Sequence, residues 1–222
     1  MKAQSTSPEG LIESSAGIQN KWTICAGVMG VSTLLLAGYQ FVLMPLLEPA
    51  DSAAGSAVRS FWPFFAIYLA AMALALAVAP KALTKAQSDG KSTGMFSLGC
   101  LLTAVCGGAM SLAVGANGIG ENVIHFYWNG LAIIWVASIA MVHLSEMLNK
   151  PLAVRDWVVY SYAMLLLPLT IVPSLPIWPM LFELDAHQTI VTATTSSFAA
   201  HFLVAHYVIF EVLERREKTR KH

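Results

Sequence analysis

Residues 61–91 read FWPFFAIYLAAMALALAVAPKALTKAQSDGK. No charged side chain falls between Phe61 and Pro80, and Lys81, Lys85 and Lys91 then arrive together. About 20 apolar residues as helix cross a hydrocarbon core about 30 Å thick. In lipid, backbone polar groups are satisfied only inside a helix or a closed barrel. The block is therefore read as a membrane span, and the lysines mark the face at which it ends.

Working outward, five more blocks have the same character, and together they predict spans at Thr23 to Leu47, Phe61 to Pro80, Met95 to Ala116, Val123 to Leu148, Trp157 to Leu181 and Gln188 to Leu213. The composition agrees: 56% of the 222 residues are hydrophobic and only 12% are charged, about half the charge of an ordinary soluble domain. The expected fold class is all-α, a polytopic integral membrane protein of six transmembrane helices. The domain plan is a polar tail over 1–20, a helical domain over 21–214 and a basic tail over 215–222.

Lysine and arginine set the orientation. With the N-terminus inside, the inner segments hold Lys2 and Lys21, then Lys81, Lys85 and Lys91, then Lys150 and Arg155, and finally Arg215, Arg216, Lys218, Arg220 and Lys221. Only Arg59 falls outside, so both termini are expected in the cytoplasm. The outer segments collect Glu48, Asp51, Glu121, Glu183 and Asp185. A first span serving as its own insertion signal, with this charge asymmetry, suits a bacterial inner membrane. Zero net charge gives no global basic field for nucleic acid.

Trp22, Trp62, Trp128, Trp157 and Trp178 lie near span ends, as headgroup-layer anchors do. Pro168, Pro173, Pro176 and Pro179 crowd the outer half of the fifth span and predict a kinked or partly unwound helix. Broken backbone at membrane depth needs protein or a wet cavity beside it, which predicts a cavity near the outer leaflet between spans four, five and six. Gly99, Gly107, Gly108 and Gly115 let a neighbour approach span three closely. Cys25, Cys100 and Cys106 read as small buried hydrophobes. No internal repeat is evident.

The chemistry-bearing residues lie in the second half. Five of the six histidines, His125, His143, His187, His201 and His206, sit in or beside spans four and six. Ionisable side chains within a bilayer are costly and face a bundle interior by default. His125 and His143 return to one face of span four, whereas His206 points away from His187 and His201 at about 100° per residue.

One expectation is a redox centre holding haem b between facing imidazoles. His125 with His187 would define an outer site, and His143 with His201 or His206 an inner one. Electron transfer or oxygen-linked chemistry would follow, with other membrane subunits and a quinone as partners. Two such sites would lie about 27 Å apart, so one haem is easier to place than two.

A second expectation is a mononuclear copper, iron or zinc site at the outer face, formed by Glu121, His125, Asp185 and His187. A third is a solute or proton transporter whose histidines relay protons. No motif names a reaction. Tyr127, Trp128 and Asn129 beside His125 are positioned to flank a haem or quinone ring, though an interfacial aromatic run serves first as an anchor. Thr189, Thr192, Thr194, Thr195, Ser196 and Ser197 are expected to bond back to helix carbonyls. Glu146 and Glu211 are expected to pair with Lys150 and Arg215.

Overall fold

In a computed structural model the described residues are 23–36, 38–39, 62–85, 90–116 and 122–213, and among them the chain is helical with no strand. The elements are α1 (Thr23–Leu36), α2 (Trp62–Lys85), α3 (Gly90–Ala116), α4 (Asn122–Met147), α5 (Pro151–Leu165), α6 (Pro168–Ser174), α7 (Ile177–Phe182) and α8 (Ala186–Tyr207). A wider π-type turn, Val208–Leu213, continues α8. Five stretches are long and apolar enough to cross a membrane: Trp62–Leu83, Gly90–Leu112, Trp128–Met147, Pro151–Ser174 and Gln188–Phe210. Within the described residues α1 is apolar but short for a span. The tails over 1–20 and 215–222, most of the predicted first span beyond Tyr39, and Glu121 lie outside the described residues.

Helices α2, α3, α4 and α5 follow one another side by side, and α5 returns to touch α2 and α3 as well as α4. In lipid there is no water to drive helices together, so close packing and interhelical hydrogen bonds do that work. Small residues supply the packing: Ala75, Ala79 and Ala82 on α2 are fully buried. A Cβ built on Gly99 of α3 would stand 2.9 Å from the Ala75 Cβ and 3.0 Å from the Ala71 carbonyl oxygen. The glycine predicted to admit a neighbour does so, against α2. Buried hydrogen bonds add specificity: Ser138 on α4 meets Ser161 on α5 at 3.1 Å. Tyr162 on α5 donates its hydroxyl to the Ala26 carbonyl at 2.9 Å, fastening α1 to the bundle.

The ends of these elements have local causes. Asn149, at φ 52°, closes α4 in the left-handed conformation, with Asn149 N–H on the Glu146 carbonyl and Lys150 N–H on that of Ser145, the paired bonds of a Schellman end. Pro151 then opens α5 at its first turn, where its missing N–H costs nothing. This start is earlier than the predicted Trp157, and it places Arg155 inside the helix. Arg155 is tucked away, with Nε and Nη2 both on Asp156 Oδ1 at 3.0 and 2.9 Å.

The predicted break in the fifth span is present. The helix turns irregular at Leu166–Leu167, restarts as α6 on Pro168, turns again at Leu175–Pro176 and ends with α7 at Glu183, φ 51°. Asp185 then caps α8, with its carboxylate accepting the Gln188 N–H at 2.7 Å and Gln188 Oε1 accepting the Asp185 N–H at 3.3 Å. That reciprocal pair is a capping box. Along α8 the hydroxyls of Thr189, Thr194, Thr195 and Ser196 donate to carbonyls four residues back, as expected of such a run.

Candidate functional site

Helix α8 lies at the edge of the bundle and leans chiefly on α5, then α6, with lighter contact to α4 and α7. The imidazoles follow that placement. His201 lies 3.3 Å from Thr170 Oγ1 of α6 through Nδ1, and the same nitrogen is 2.9 Å from the Ser197 carbonyl oxygen. A carbonyl only accepts, so Nδ1 carries the proton and, in the neutral ring, Nε2 holds a free lone pair. Thr170 in turn donates to the Leu167 carbonyl at 3.2 Å. His206 meets Tyr160 of α5, Nδ1 to hydroxyl, at 3.2 Å, and the Tyr160 ring stacks on Phe202 with centroids 5.2 Å apart.

His143 of α4 does not join them. His143 is exposed and lies 3.3 Å from Glu146 Oε2 on its own helix, so Glu146 meets this ring rather than the expected Lys150. The side chains of His125, His187 and Glu211 lie outside the described residues. Of the metal quartet only Asp185 can be followed, and one of its oxygens is engaged as the cap of α8. Among the described residues no three His, Cys, Asp or Glu side chains approach closely enough to hold a metal ion. Cys100 and Cys106 are buried as expected, but Cys25 on α1 is exposed.

A concavity lies elsewhere. A cavity of about 310 Å³ opens among α2, α3, α4 and the α5–α6 joint, at the lower end of the range usual for small-molecule sites. It lies beside the proline-broken segment, but among α2, α3, α4 and the α5–α6 joint and not between the predicted spans four, five and six. The reason is the edge position of α8. Helix α6 separates the two places: Leu167, Pro168 and Ile171 line the cavity, while Thr170 holds His201.

The cavity wall carries four aromatic rings, Phe65, Tyr68, Trp128 and Trp135, with the thioethers of Met72, Met110 and Met164 between them. Among the described residues no charged side chain lines it. Gly107 and Gly108 keep one side open, since a Cβ on Gly107 would already stand 3.4 Å from the Tyr68 ring. Trp135 is a buried wall residue, and its Nε1–H has no hydrogen-bond partner among the described residues. An unmade buried donor costs about 1–3 kcal/mol; the hydroxyl residues Tyr68, Thr103 and Ser111 stand in the same lining.

The chain matches no family model, no curated protein and no solved structure. Its site therefore rests on its own residues. Trp128, expected as an interfacial anchor, is half-buried in the fold and lines the cavity. Trp135 is not among the residues expected at a site. The available signal was a tryptophan in the middle of an apolar span, away from the headgroup layer where its N–H would find water.

Proposed function

We propose that this chain is a six-span protein of a bacterial inner membrane, with both termini cytoplasmic, that binds a small, neutral, apolar molecule drawn from the bilayer. The one-sided distribution of lysine and arginine supports the topology. The cavity among α2 to α6 carries the functional reading, because apolar walls with few polar groups are what small-molecule sites have in common. A broken helix beside it supports the same reading, since irregular backbone at this depth belongs next to a cavity. Purification in mild detergent followed by solvent extraction and mass spectrometry tests it. An apolar molecule recovered in about equal amount with the protein is expected. Failure to recover one, together with failure of any apolar probe to bind, refutes the reading.

A second reading keeps the histidine-ligated redox centre, with haem b preferred to copper, iron or zinc. What favours it is His201, whose Nδ1–H is engaged with the Ser197 carbonyl and whose Nε2 is thereby in the form that ligates a metal. A sharp alpha band in the dithionite-reduced absorption spectrum supports this reading, and its absence at full protein recovery removes it.

A further inference from the structure

We propose that α6 is the gate through which a molecule from the bilayer reaches the α2–α6 cavity, and that the contact between Thr170 and His201 is the latch that holds it shut. The proposal rests on reading the cavity as a binding site and adds how that site is entered.

Three observations converge on α6. First, it is a seven-residue helix with a break at each end, Leu166–Leu167 and Leu175–Pro176. Pro168 and Pro176 carry no N–H with which to continue the helix ladder across those breaks, and hinges are a few residues at element ends that absorb a change of backbone angle. Second, it is a partition. Leu167, Pro168 and Ile171 line the cavity, whereas Thr170 and Pro173 are exposed on the other side of the helix, which in a bilayer meets lipid. Third, it is tied from outside the cavity. Helix α6 leans chiefly on α8, and a chain of hydrogen bonds joins the two. His201 Nδ1–H, on the Ser197 carbonyl at 2.9 Å, also reaches Thr170 Oγ1 at 3.3 Å, and the Thr170 hydroxyl donates to the Leu167 carbonyl at 3.2 Å. The chain ends on Leu167, which stands both at a hinge and on the cavity wall.

The strength of this tie suits a latch. At 3.3 Å the contact is longer than the commonest N–H···O bond. Interhelical hydrogen bonds inside a membrane are worth little more than thermal energy on average, enough to bias a two-position element without fixing it. Losing the latch speeds entry and exit alike and leaves affinity unchanged, because Thr170 and His201 are not among the cavity-lining residues and a change with no differential effect on the bound and empty states moves no binding equilibrium.

The test adds hexafluorobenzene, a neutral apolar probe, to the purified full chain in detergent micelles and reads bound fraction and exchange rate together by fluorine exchange NMR. A bound signal is expected, and Ala132→Phe, which places a ring on the cavity wall, is expected to remove it at unchanged unfolding temperature. Thr170→Val, which keeps the shape and removes the hydroxyl, is expected to raise the exchange rate about threefold at the same bound fraction. His201→Phe is expected to do the same, and the double variant no more than either alone. Ser196→Ala removes a hydroxyl bonded within α8 and is expected to leave the rate as it was. An unchanged rate in folded Thr170→Val, or faster exit with a matching loss of bound fraction, would overturn the gate while leaving the cavity a binding site. If the unsubstituted protein gives no bound signal, or if the signal survives in folded Ala132→Phe, the cavity reading falls and the gate with it.

Discussion

Gly99 of α3 and Ala75 of α2 make the tightest helix approach recorded for any described glycine: an added Cβ would lie 2.9 Å from both the Cβ and the backbone nitrogen of Ala75. Backbone cannot yield as a long side chain does. Gly99→Ala is therefore expected to force α2 and α3 apart and destabilise the protein by about 1–3 kcal/mol. The unfolding midpoint in mixed detergent and SDS micelles measures it, and an unchanged midpoint refutes the close contact. Gly108→Ala is the control, because its Cβ would meet Ala132 and Asn129 at an ordinary 3.5 Å.

Asp185 separates a structural role from a metal role. Its carboxylate accepts the Gln188 N–H at 2.7 Å, an interaction that asparagine reproduces and alanine does not. Asp185→Ala is expected to cost about 1 kcal/mol of stability, and Asp185→Asn close to nothing. A metal site would rank the pair differently, since asparagine lacks the negative oxygen that a carboxylate supplies. Metal content and unfolding midpoint, measured on both variants, decide between the two roles.

The Tyr162 hydroxyl donates to the Ala26 carbonyl and so ties α5 to α1. Tyr162→Phe keeps the ring and removes the donor, with an expected loss of about 1 kcal/mol. Hydrogen exchange is expected to rise in α1 ahead of the other helices. Uniform exchange across the bundle would count against this fastening.

The described histidines give the haem reading an order of sensitivity. His143 is exposed and turned to Glu146, whereas His201 is held by α6 and its own helix. If a reduced alpha band is found, His201→Ala is expected to remove it and His143→Ala to leave it. The opposite order would place the centre on the exposed side of α4.

Much of the architecture was written along the chain. Apolar blocks and interrupting lysines marked the helices because a bilayer demands length and internal hydrogen bonding from each segment alone. The fourth helix, predicted at Val123 to Leu148, spans Asn122–Met147. Prolines 168, 173 and 176 foretold the break after α5, since each removes a local donor. The fifth span began earlier than predicted because Pro151 and the Arg155–Asp156 pair allow a polar first turn within the helix.

The partners of each helix face were not legible in the same way. A histidine count along spans four and six suggested that those two helices face each other, but α8 leans mainly on α5 and α6, and its described imidazoles meet Thr170 and Tyr160. Which side of a helix meets which neighbour depends on close packing of small residues and on a few interhelical hydrogen bonds, and neither leaves a periodic trace. The sequence by itself determined that the chain is helical, apolar enough for lipid and broken after α5. Only the tertiary structure decided that Trp128 and Trp135 share one chamber with Phe65 and Tyr68, because residues so far apart in the chain are joined by packing alone.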